Sequence, residues 1–264
     1  MSYFNKKQVQ MKKNIVLLFF LLLTVSLFAN GSSPFQPELK KAADLYKKGQ
    51  YEQAITIYEN ILPKDKESAQ VYYNLGNAYY KSGQTARAIL NYERALLVKP
   101  NYEDARFNLE MAKAKTPDKI NNVGDIFFVE WIKSIANFMG SNAWAIFSIT
   151  LFIISLVLFF VYAFMHQVAV RKFGFYGAIV GLLLSAFSFT MSYTQKNKAV
   201  NKEYAIVMAP SVTVTSTPDE QGTKLFVIHE GIKVKIKSSL DMWVEIQLSD
   251  GNVGWIKADD VEKI

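Results

Sequence analysis

Four side chains on one short stretch carry the most interpretable chemistry in this sequence: Tyr73, Asn77, Tyr80 and Lys81. On an α-helix, residues three and four apart share a face, so this spacing gathers two phenol rings, an amide and an ammonium. Such a set can stack on side chains, hydrogen-bond a peptide backbone and meet a carboxylate, which suits an extended peptide better than a small metabolite. The competing reading is that these tyrosines are half-buried packing residues. Residues suited to catalysis are scarce. There is no cysteine, and His166 and His229 are the only histidines, which removes thiol nucleophiles, cysteine-ligated metals and a histidine-rich metal site. No glycine-rich phosphate loop, paired-histidine motif or nucleophile elbow occurs. Asp259 and Asp260 are adjacent, not opposed across a cleft as paired catalytic carboxylates must be. The expectation is a protein with no catalytic residues, no cofactor, no metal and no small-molecule substrate.

The face needs a helix, and the helix belongs to a repeat. Gly49 and Gly83, Gln50 and Gln84, Ala54 and Ala88, Ile55 and Ile89, Tyr58 and Tyr92 all align at a period of 34 residues, the spacing of a tetratricopeptide repeat. The copy at 69–102 resembles that family at Tyr72, Leu75, Gly76, Tyr79, Gly83, Ala88, Tyr92, Ala95 and Pro100. Gly76 and Ala88 allow close helix approach, Tyr79 and Tyr92 fill the space between helices, and Pro100 ends the second helix. The copy at 35–68 is less regular, with Ala42, Leu45 and Lys66 at the corresponding places, and one capping helix completes a domain over 35–115. The period maps the candidate face onto Leu39, Ala43, Tyr46 and Lys47, while Phe107, Met111 and Ala114 extend it. Tyr46 and Lys47 therefore join Tyr73, Asn77, Tyr80 and Lys81 as a candidate partner-binding groove.

Two long stretches lack Lys, Arg, Asp and Glu altogether: Ser134–Val170 and Phe173–Gln195. A bilayer crossing needs roughly 20 apolar residues, and spans are expected at 143–165 and 173–193, joined by a cytoplasmic loop at 166–172. Neither span carries an ionisable group for a proton or ion path. Gly177, Gly181 and Ser185 fall four apart and form a small-residue ridge for helix packing, either against the first span or against another membrane protein. The linker at 116–142 includes Trp131, Ile132, Ile135, Phe138 and Met139 at helical spacing. This pattern reads as a helix lying in the headgroup plane, or as one docked on the repeats. At the N-terminus, Lys6, Lys7, Lys12 and Lys13 precede the apolar run Ile15–Phe28. Those are the parts of a signal peptide over 1–29, with Met11 as an alternative start, and they place the segment after residue 30 outside the cytoplasm. Both soluble modules then face the periplasm from the bacterial inner membrane.

From residue 201 the texture changes to β-branched alternation, and five short strands are expected within 201–264. Trp243, Glu245 and Gln247 alternate with Val244, Ile246 and Leu248, the pattern of a small barrel with one wet face. The order APSVTV, HEGIKVKI, WVEIQLSDGNVGWI and DDVEKI resembles a bacterial SH3-like domain. Trp243 and Trp255 could form a surface or serve the core, and His229 reads as a turn residue. The overall charge of +7 is not a nucleic-acid footprint. Residues 36–118 hold 13 basic against 11 acidic groups and residues 201–264 hold 7 against 10, so the excess lies at the N-terminus and membrane flanks.

The fold class expected is a multidomain membrane protein: an α-helical tetratricopeptide-repeat solenoid, a two-helix transmembrane hairpin and a small all-β SH3-like barrel. That order resembles the BatE family of Bacteroides-type aerotolerance operons. The resemblance implies a scaffold or assembly role in a membrane complex linked to oxygen or oxidative-stress tolerance. Its implied partners are other Bat-type membrane proteins, von Willebrand A-type domain proteins and a MoxR-type ATPase. An alternative is an envelope sensor or regulator that binds cell-wall material through the SH3-like domain.

Overall fold

The computed structural model describes residues 34–63, 68–118, 127–201 and 203–264, so the expected signal segment and Lys66 lie outside the described residues. The chain divides into two units, Met1–Lys40 and Lys41–Ile264. Of the first, residues 34–40 are described: a turn and the opening of a helix, with the Leu39 N–H on the Phe35 carbonyl.

Helix α1 (Gln36–Lys47) is followed by α2 (Tyr51–Ile61), α3 (Ala69–Lys81), α4 (Thr85–Val98) and α5 (Glu103–Lys113). Gly49 and Gly83 close the turns after α1 and α3, both with positive φ (77° and 85°) and open space around them. Backbone conformation is therefore what these two period-related positions require, because a Cβ would be strained in the left-handed region. Ser68 caps α3 by accepting from the Val71 N–H. The α3–α4 pair closes on Gly76, where an added Cβ would sit 2.7 Å from a Tyr92 ring carbon. Tyr58, Tyr79 and Tyr92 are nearly fully buried between helices, with Leu75, Ala88 and Ile89. Burial pushes the Tyr58 hydroxyl up to about 12. The Tyr79 hydroxyl also reaches about 12, first through burial and then through its hydrogen bond to Glu59.

Helix α6 (Phe127–Ala136) leads to α7 (Ser141–Phe164) and α8 (Val168–Asn201). Both α7 and α8 are long and apolar enough to cross a membrane, and large apolar side chains such as Phe159, Phe160 and Leu183 point outward. The connection is shorter than the loop expected at 166–172: α8 begins at Val168 and takes in Arg171 and Lys172. It also continues past residue 193 to Asn201. Charge ends an apolar span, but it does not end a helix whose backbone bonds continue in water.

The C-terminal region is an antiparallel sheet of seven strands, where five were expected. These are β1 (Tyr204–Val207), β2 (Ser211–Thr215), β3 (Lys224–His229), β4 (Lys233–Leu240), β5 (Trp243–Gln247), β6 (Val253–Lys257) and β7 (Val261–Lys263). Spatial order is β3-β2-β6-β5-β4-β1-β7. Two extra strands arise because the run from Ala205 breaks at Met208–Pro210, and because the tail past a 3-10 turn at Ala258–Asp260 pairs with β1. Asp259 and Asp260 sit in that turn. The core gathers Val207, Val214, Val234, Val244, Ile246 and Ile256.

Candidate functional site

Helix α3 presents Tyr73, Asn77 and Tyr80 to the inner side of the repeat module because Val71, Leu75, Ala78 and Tyr79 are spent on the core. Together with Tyr46, Lys81, Tyr92, Asn108 and Met111 they line a cavity of about 250 Å³. That lies below the ~300–1,000 Å³ of ordinary small-molecule sites, and it suits one or two side chains of a larger partner.

The chemistry inside is neutral and chained. Tyr92 donates its hydroxyl to Asn77 Oδ1 at 2.7 Å, and Asn108 Nδ2 donates to the same oxygen at 2.8 Å. Asn108 Nδ2 also reaches the Tyr73 hydroxyl at 3.3 Å. The Tyr73 ring packs 5.0 Å from Tyr102 and 6.1 Å from Tyr92. Burial raises the Tyr92 hydroxyl, with neighbouring phenols adding to the shift, so it remains a donor at any ordinary pH. At the rim, Lys115 places its ammonium 4.0 Å from the centre of the Tyr80 ring, and Lys81 is exposed.

The six groove candidates thus separate into three kinds. Tyr73 and Asn77 are tied into the network, and Asn77 is a structural bridge that its spacing on one helix did not reveal. Tyr46, Tyr80 and Lys81 line the opening without a hydrogen-bond partner among the described residues. Lys47, exposed in the last turn of α1, is not among the lining residues. Phe107 and Met111 on α5 stay 67 % and 44 % exposed; Met111 lines the cavity and Phe107, one turn away on the same helix, extends its apolar side.

The opposite side of α4 is occupied by the β-sheet. Glu93, 8 % exposed, meets Lys233 at 2.6 Å and Lys113 at 3.3 Å. Burial alone would raise its carboxyl, but the two ammonium groups outweigh it and hold Glu93 below the usual carboxylate range. Arg94 meets Glu262 at 3.0 Å and the Lys263 carbonyl at 2.7 Å. Asp118 accepts from the His229 backbone N–H at 2.7 Å and lies 2.9 Å from its Nδ1. His229, expected as a turn residue, ends β3 and joins the repeat module to the sheet. No signal along the sequence pairs residues 111 and 140 positions apart.

In the hairpin, the small-residue ridge faces α7. A Cβ on Gly177 would lie 3.0 Å from Leu158, and one on Gly181 3.2 Å from Ser155. Ser148 and Ser185 exchange hydroxyl-to-carbonyl hydrogen bonds of 2.9 Å each way. The ridge is used within the chain. Trp243 and Trp255 lie on the outer face of the sheet, partly buried, with Glu245 paired opposite Trp255 and Ser238 donating to Glu245. Among the described residues no group of three or more His, Cys, Asp or Glu could hold a metal ion.

Comparison with known families finds a profile described as TPR repeat over residues 43–83 and one described as tetratricopeptide repeat over residues 69–102. Tetratricopeptide repeats are therefore present, and a role in protein–protein interaction goes with them. No curated protein matches the chain.

Proposed function

We propose that this chain is a non-enzymatic, membrane-anchored scaffold that takes a protein segment into the tyrosine-lined cavity of its repeats. The observation that carries this reading is the combination of a bridged floor, Tyr92–Asn77–Asn108, with an opening whose Tyr80 and Lys81 keep unused donors. A preordered floor lowers the ordering cost of binding, and the free rim groups can address a backbone carbonyl or carboxylate. Helices α7 and α8 cross the inner membrane, α6 with exposed Trp131 and Ile132, followed by exposed Phe138, lies at the headgroup level, and the SH3-like sheet shares the periplasmic side with the repeats. Within that reading the partners are Bat-type membrane proteins, including von Willebrand A-type domain proteins, in an assembly tied to oxygen tolerance. A photo-crosslinking residue at Tyr80, irradiated in membranes, should trap a protein partner that the same residue on exposed Glu52 does not. Equal trapping at both positions would reject the cavity as the docking site.

A further inference from the structure

A second and larger space, about 1120 Å³, opens between α3 and α4 on one side and the adjoining ends of α7 and α8 on the other. Two nearly buried amides line it: Asn91, 3 % exposed, and Gln195, 8 % exposed. Each has its nitrogen engaged on backbone carbonyls, Asn91 Nδ2 on Arg87 at 2.8 Å and Gln195 Nε2 on Ala136 and on Met139 at 2.9 Å. Those bonds fix which end of each amide is the oxygen, and both oxygens, Asn91 Oδ1 and Gln195 Oε1, are buried and have no protein partner among the described residues. Buried acceptors of this kind are rare and call for an N–H or O–H donor. The same space is lined by Arg87, Arg94, Lys99 and Lys196 together with Glu59 and Glu262; Glu262 takes Arg94 and Lys99 sits over the Tyr102 ring, which leaves Lys196 to meet a phosphate. Arg87 leans on the Tyr79 ring, and Lys196 is exposed without an ion pair among the described residues.

We propose that this cleft binds the headgroup of a membrane phospholipid whose head carries hydrogen-bond donors, ethanolamine or glycerol. The phosphodiester meets Lys196, while the ammonium or hydroxyls serve Asn91 and Gln195. The proposal rests on α7 and α8 crossing the bilayer, since Ser141, where α7 begins, and Gln195, where the second uncharged stretch ends, then stand at headgroup depth. It also predicts selectivity, because a choline head has the phosphate but no N–H or O–H.

The test is native mass spectrometry of the full chain released from nanodiscs holding equal parts phosphatidylethanolamine, phosphatidylglycerol and phosphatidylcholine. One donor-bearing phospholipid should be retained about tenfold over phosphatidylcholine. Lys196→Glu, at an exposed position, should abolish that retention without lowering the melting temperature, and Asn91→Leu should erase the preference over choline. Equal retention of all three lipids, or an unchanged preference in Lys196→Glu, overturns the proposal. Displacement of the lipid by excess inorganic phosphate would make the site one for free phosphate and overturns the lipid assignment. Flotation with vesicles reads the premise separately: a chain that fails to float refutes the membrane reading, whereas one that floats without lipid preference refutes the cleft alone.

Discussion

The two sides of helix α4 are satisfied by different chemistry, although their residues are neighbours in sequence. Tyr92 turns inward and closes a neutral network through Asn77 and Asn108. Glu93 and Arg94 turn outward and are met by Lys233, Glu262 and the Lys263 carbonyl from the sheet. The outer side is covered by the chain's own charges, and the inner side ends in an open cavity whose rim groups remain available. A solenoid this small has little spare surface, so fastening the sheet to one side decides which side a partner can use.

The contrast breaks most severely at the floor of the inner side. Gly76→Val places a side chain where a Cβ already meets the buried Tyr92 ring at 2.7 Å, and should cost about 3 kcal/mol by overpacking. Thermal unfolding of the full chain would register it, and an unchanged transition would mean that α3 and α4 do not pack as described. Asn77→Leu keeps the branched shape but orphans the Tyr92 hydroxyl, for about 2 kcal/mol. Asn77 is therefore unsuitable as a probe of binding alone, since its loss weakens the fold as well.

The outer side should yield less. Glu93→Gln removes the carboxylate that Lys233 and Lys113 share, but both side chains are about a third exposed (36 % and 35 %) and can be hydrated, so the cost falls to about 1 kcal/mol. The pH dependence has a definite sign. Glu93 titrates lower in the fold than its unfolded value of about 4.3, so its contribution is full above that value and is lost as pH falls through the lowered folded one. Chemical denaturation between pH 7 and pH 3 should show this loss in the parent protein and a flatter profile in Glu93→Gln. Parallel profiles would remove Glu93 from the interface account.

Legibility in the sequence followed the range of the interactions. The repeat was readable because Gly49, Gly83 and the Tyr58–Tyr92 pair meet the same local requirement in each copy. The alternation around Trp243 was readable for the same reason, and Val244, Ile246 and Leu248 are indeed the buried set. What escaped needed distant partners. Asn77 reads as a groove amide until Tyr92 and Asn108 arrive from two other helices, and nothing local marks Glu93, whose partner Lys233 arrives from the sheet. The break at Met208–Pro210 escaped because the strands on both sides of it carry the same β-branched texture. The end of α8 escaped because Lys196 and Lys198 mark the limit of an apolar span, and the helix continues beyond it.

Binding at the free rim of the inner cavity is the central claim, and Tyr80→Phe, which keeps the ring under Lys115, combined with Lys81→Ala tests it most directly. Neither group has a hydrogen-bond partner among the described residues, so the Lys81 change should shift stability by less than about 0.5 kcal/mol and the pair should leave the melting transition of the full chain nearly in place. A groove contact of this kind can be worth about 2 kcal/mol, roughly thirtyfold in affinity. Co-purification from membranes at native expression, run beside that melt, should therefore show partner proteins lost from a protein that is still folded. Full partner recovery with both substitutions present and an unchanged melt would contradict the account.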